Sequence, residues 1–181
     1  MNIDGLIEIH TAADIEKTLD RIEEAARQAH IWIAQQSSDP MKFLRSVKFE
    51  KRGFHPITHH KLNLIEQVNQ TWTYAVALYA TKFLLERHPD ADGFHLAPGA
   101  IACQELDIMS IKKGLVGAET FAATSPDSNS KIKKDIKKMK EKGTLYQYRY
   151  VFFTSPTHPH TERQTKLEKD CPGVEVWSLE I

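Results

Sequence analysis

A chain of 181 residues can bury one real hydrophobic core and is too short for two ordinary domains. Its 41% hydrophobic and 27% charged residues are a soluble globular composition, and its formal net charge of zero means that any nucleic-acid binding needs local patches. No apolar run approaches a membrane span, and the start Met1-Asn2-Ile3-Asp4-Gly5-Leu6 lacks the basic region and apolar core of a signal peptide. Two cysteines, Cys103 and Cys171, supply neither a disulfide framework nor zinc spacing, so cytoplasmic residence is the expectation.

In chain order, residues 13–36 read as an amphipathic helix with Ile15, Leu19, Ile22, Ala26, Ala29 and Ile33 on one stripe. Thr11 or Asp14 would cap it, and Ser37-Ser38-Asp39-Pro40 would end it. A shorter helix is expected over 41–50, then an extended connector over 54–58, where Pro56 biases its predecessor away from helix. A second long helix is expected over 61–87, its apolar positions running from Leu64 and Ile65 through Val68, Trp72 and Val76 to Phe83. His88-Pro89-Asp90-Ala91-Asp92-Gly93 closes it. Strands follow at 94–97, 101–110 and 115–123, the last two joined by the polar turn Lys112-Lys113-Gly114. A helix over 130–142, a strand over 148–154, a short helix over 161–169 and a strand over 174–179 complete the chain. Helices before, between and after strands predict an α/β fold with a mixed sheet.

The hairpin 105–121 carries the chemistry. Side chains alternate along strands, so Glu105 and Asp107 share one face, as do Glu119 and Phe121 on the next strand. Asp is disfavoured within strands, so Asp107 between Leu106 and Ile108 asks for a functional account. Carboxylates at adjacent hairpin positions make an oxygen-ligand site suited to Mg²⁺, the heart of a metal-dependent phosphodiesterase. The plain alternative for each acid taken singly is a solvent-facing strand position.

The helix 130–142 carries Lys131, Lys133, Lys134, Lys137, Lys138, Lys140 and Lys142 against Asp135 and Glu141. Such a helix can lie along a phosphate backbone, with Lys133, Lys134, Lys137 and Lys138 as its nucleic-acid contacts. A solvated outer face, with Ile132, Ile136 and Met139 turned inward, accounts for the same pattern, and both can hold together. The histidine pairs His59-His60 and His158-Pro159-His160 lack further ligands at zinc spacing. No P-loop, dinucleotide fingerprint, nucleophile elbow or zincin motif is present.

Asp107 in one strand, a polar turn and an apolar strand ending Glu119-Thr120-Phe121, set in the order helix, three strands, Lys-rich helix, strand, resemble the PD-(D/E)XK nuclease superfamily across roughly residues 61–154. The resemblance implies a restriction-endonuclease-like core within a single domain spanning 1–181. Residues 1–55 would be an N-terminal helical extension and 61–181 the core. It implies Mg²⁺ held by Asp107 and Glu119, with Glu66 of the preceding helix as a third ligand or water-positioning base and a backbone carbonyl completing the shell. It also implies a nucleic-acid substrate, DNA or RNA; the N-terminal helix would pack on the core or pair with a second subunit as a homodimer. The departure is Phe121, which stands where the family has lysine. Lys131, the lysine nearest in sequence to the end of that strand, is the first candidate for the missing cation, and Asn129 a weaker polar substitute. The rival reading is a catalytically inactive nuclease-like module for binding or assembly, with Phe121 filling the pocket.

Overall fold

The computed structural model describes residues 6–36, 39–98, 105–126, 130–169 and 171–181. Strand β1 (Ile7–Ile9) leads into α1 (Ala12–Ala34). Thr11 and Asp14 start this helix as a reciprocal capping box, and Ile15, Thr18, Ile22 and Ala25 form its buried stripe at helical spacing. Helix α2 (Pro40–Phe49) begins on an Asp39 cap that accepts the Met41 and Lys42 N–H groups, and it buries none of its residues.

The extended connector expected over 54–58 and the helix start expected at 61 are both corrected. Gly53–Phe54 (β2) pairs antiparallel with Lys61–Leu62 (β3), so the helix begins only after Asn63. Asn63 and Glu66 form a second capping box at the head of α3 (Leu64–Arg87). The middle of α3 is nearly all buried, with Ala75, Ala77 and Ala80 letting its backbone sit close to its neighbours. Gln67 fastens α3 to the N-terminal segment: its Nε2 donates to Ala25 O at 2.7 Å and its Oε1 accepts the Phe54 N–H at 3.0 Å.

Strands β4 (Phe94–Leu96), β5 (Ile108–Ser110) and β6 (Val116–Ala122) form an antiparallel meander. Helix α4 (Lys131–Glu141) then crosses over to β7 (Tyr148–Thr154), which pairs parallel with β6. Strands β8 (Glu162–Arg163) and β9 (Glu175–Ser178) complete a seven-stranded mixed sheet in the order β1-β4-β5-β6-β7-β9-β8. The helix expected over 161–169 is absent, because β8 joins the sheet edge and the residues after it serve β9. Gln164 N–H donates to Val176 O at 2.7 Å, and Glu168 Oε1 accepts the Val176 N–H at 2.9 Å. The strand expected over 101–110 begins only at Ile108; residues 101–104, Cys103 among them, and Asn129 lie outside the described residues.

Alternation divides the sheet between two cores. Ile108, Val116, Ala118, Tyr150 and Phe152 pack with α1 and α3 on one face. Met109, Phe121, Val151 and Phe153 pack with Ile132 and Met139 of α4 on the other. The architecture is three-layered α/β/α. Among the described residues no helix is long and apolar enough to cross a membrane.

Candidate functional site

The β5–β6 ladder pairs Ile108 with Ala118 and Met109 with Gly117, so one step further Asp107 stands opposite Glu119, on the face covered by α4. The turn between these strands is built by Ser110, whose Oγ donates to Lys112 O and accepts the Val116 N–H, and by Gly114, whose φ of 74° lies in the left-handed region open to glycine. At Asp107 side-chain bonds take over from the ladder. Its N–H donates to Glu119 Oε1 at 3.3 Å. Its Oδ2 accepts both the N–H and the hydroxyl of Thr120, at 2.9 and 3.1 Å. Its carbonyl accepts the Ala97 N–H just beyond β4. The two carboxylates therefore hold one another in register, and Asp107 sits at the strand's mouth rather than in its middle.

Helix α4 brings three charged side chains to this pair. Lys138 Nζ lies 2.7 Å from Glu119 Oε1. Lys131 Nζ lies 2.7 Å from Asp135 Oδ1 and 5.9 Å from the centroid of the Phe121 ring. Asp135 is buried, and among the described residues its Oδ2 has no hydrogen-bond partner. Lys131, Asp135 and Lys138 fall at i, i+4 and i+7, one stripe of the helix.

Burial dominates the electrostatics. It raises the Asp107 carboxyl above its ordinary range, opposed by the Thr120 bonds and the charges of Lys138 and Lys131. Glu119 is pushed up to about 7, by burial first and the neighbouring Asp107 charge second, with Lys138 pulling the other way. Asp135 is raised by burial against its bond to Lys131. Three buried carboxyl groups thus face two ammonium groups, leaving the cluster short of one positive charge when all are ionised.

The cluster opens onto a cleft of about 940 Å³. Asp107, Glu119, Lys131 and Lys138 all line it, together with Asn69, Trp72 and Thr73 of α3, Thr154 at the end of β7 and Ser155-Pro156 just after it. The Phe121 ring borders this cleft but is buried, stacked on Phe153 at a centroid distance of 5.5 Å.

Of the residues singled out in the sequence, Asp107, Glu119, Lys131 and Lys138 are brought together. Lys133, Lys134 and Lys137 are exposed on α4, with Lys137 3.7 Å from Glu141. Glu66 is not brought to the pair: it is exposed and its Oε2 accepts the Asn63 N–H in the capping box of α3. Thr120 and Asp135 were not singled out. Their signal was weak: a hydroxyl within Glu-x-Phe, and one acid set at helical spacing between two lysines of a basic helix. Among the described residues no group of three or more His, Cys, Asp or Glu forms a metal-binding set. No family model, curated protein or solved structure matches this chain.

Proposed function

We propose that this protein is a PD-(D/E)XK-like phosphodiester hydrolase acting on nucleic acid, in which Lys138 takes the part of the missing motif lysine. The observation that carries the reading is the ion pair of Lys138 with Glu119, directly across the hairpin from Asp107. The element order α3, β4, β5, β6, α4, β7, with the final strand parallel to β6, supports a restriction-endonuclease-like core.

Asp107 and Glu119 fit Mg²⁺ by donor chemistry, since they offer hard carboxylate oxygens, and by charge, since the cluster lacks one positive charge. When bound there, Mg²⁺ supplies Lewis-acid stabilisation and a more acidic water. The chain's own groups do the rest. Thr120 fixes the Asp107 carboxylate through two hydrogen bonds, leaving its orientation independent of the substrate. Lys138 aims a cation at the cleft beside Glu119, where negative charge develops on a phosphoryl oxygen during in-line attack. Lys131 is the second lysine in the cleft, tethered by Asp135.

The test is a cleavage assay with Mg²⁺ or Mn²⁺ on single-stranded, duplex and branched DNA and RNA. Asp107→Asn should abolish cleavage, and Lys138→Met should lower its rate by about 10²–10³-fold, the usual loss for one charge-stabilising donor. Lys131→Met should have the smaller effect. A wild type that cuts none of these substrates would refute the hydrolase reading. Lys131→Met more damaging than Lys138→Met would move the catalytic role to Lys131.

A further inference from the structure

Part of the cleft wall is unused by the chemistry just described. Helix α3 contributes Asn69, Trp72 and Thr73 to the same cavity as Asp107 and Glu119. Trp72 is 43% exposed. The other two tryptophans are occupied: Trp32 stacks on Phe43 at 6.3 Å, and Trp177 packs on Phe83 at 4.8 Å with the Arg87 guanidinium 5.6 Å from its ring. Among the described residues no aromatic ring or cation packs on the Trp72 indole. Ile65 and Val68, also exposed, precede Trp72 at helical spacing and extend an apolar stripe along α3.

We infer that Trp72 is a base-stacking platform and that the cleft takes single-stranded nucleic acid, or a strand frayed from a duplex. The inference rests on the hydrolase reading above and names its substrate class. An indole offers a flat apolar face, and every unpaired base offers a matching one, whereas bases inside a duplex are already stacked on each other. A cleft of about 940 Å³ is at the upper end of small-ligand pockets, with room for a nucleotide and its flanking phosphates. Asn69 lies just under one turn before Trp72 in the same cleft, and its amide carries both a donor and an acceptor for a base edge. The negative strand has its counterpart on α4. Lys131 and Lys138 line the cavity, and exposed Lys134 lies between them, about one turn from each.

The experiment measures binding of a fluorescein-labelled oligothymidylate and of a blunt duplex by anisotropy, in EDTA to prevent cleavage. Trp72→Ala should weaken oligothymidylate binding by about 5- to 100-fold, the range for loss of one stacked base. Trp72→Phe should recover most of the affinity, since a smaller ring still stacks. Unlabelled oligothymidylate should quench the wild-type indole emission, and Trp72→Phe should lose that quenching while Trp32 and Trp177 remain. Circular dichroism of each variant checks that it is folded. Wild-type binding that is unchanged in Trp72→Ala overturns the inference and leaves the hydrolase reading standing. Binding of the blunt duplex as tight as that of the oligonucleotide does the same. A wild type that binds neither probe overturns both.

Discussion

Glutamine in place of Glu119 removes one buried ionisation and keeps a side chain of nearly the same shape, which makes pH the informative variable. The Glu119 carboxyl ionises at about 7 in the folded protein against an ordinary 4.5. Between those values the folded state binds more protons than the unfolded chain. Stability from this group is therefore fully present below pH 4.5 and is lost as pH rises toward 7. At 1.36 kcal/mol per pH unit, the part of that loss falling between pH 5 and pH 8 is about 2–3 kcal/mol. Asp107 and Asp135 are raised by burial as well and act in the same direction. Glu119→Gln also strips Lys138 of its 2.7 Å partner, and that attraction is already contained in the Glu119 ionisation, where Lys138 pulls the carboxyl down against burial. The readout is the wild-type minus variant difference in urea-unfolding free energy at pH 5, 6, 7 and 8, in EDTA. It should become less favourable to the wild type by about 2–3 kcal/mol across the series. A difference that stays flat to within about 0.5 kcal/mol would mean that burial does not raise the Glu119 carboxyl, and this pH argument would fall.

Added Mg²⁺ at pH 7 to 8 should raise the wild-type melting temperature, with about 2.7 kcal/mol of stabilisation at a hundredfold excess over its dissociation constant. Asp107→Asn should remove that response, and a shift that persists in the variant would put the ion elsewhere. Gln67→Leu leaves the Phe54 N–H and the Ala25 carbonyl without their buried partner and should cost about 2–4 kcal/mol in urea unfolding, whereas a loss under about 0.5 kcal/mol would show that water replaces both bonds. Neutralising Lys133, Lys134 and Lys137 together should weaken nucleic-acid binding and reduce the slope of log K against log salt by about 2 to 3; an unchanged slope would make these lysines a solvated face only.

The long elements were legible in the sequence because their signals are periodic. Ile15 and Ile22 of the α1 stripe, its cap at Thr11 and the turn at Gly114 are local, and they sit where the residues say, whereas Ala26 and Ile33 of that stripe are exposed and Asn63, not Lys61, heads α3. Elements that depend on distant partners were not legible. Three residues at Ile7–Ile9 become a strand only because Phe94–Leu96 lies beside them, and Thr161–Lys169, which has helix-forming composition, is claimed by β9. The site divided in the same way. Asp107 facing Glu119 follows from strand alternation and a short turn. Which lysine of α4 reaches them depends on how the crossover helix is rotated over the sheet, and sequence proximity favoured Lys131 where the ion pair to Glu119 is made by Lys138.

Helix α2 has a consequence for how the molecule opens. It buries none of its ten residues, and Met41, Leu44 and Phe49 stand largely in solvent. Little apolar surface is exposed when it unwinds, so its opening free energy lies far below that of the seven-stranded sheet. Its amides should exchange with deuterium orders of magnitude faster than those of β6 and β7. Lys42, Arg45 and Lys48 should therefore be the first sites cut by trypsin, through local fluctuation of an otherwise native chain.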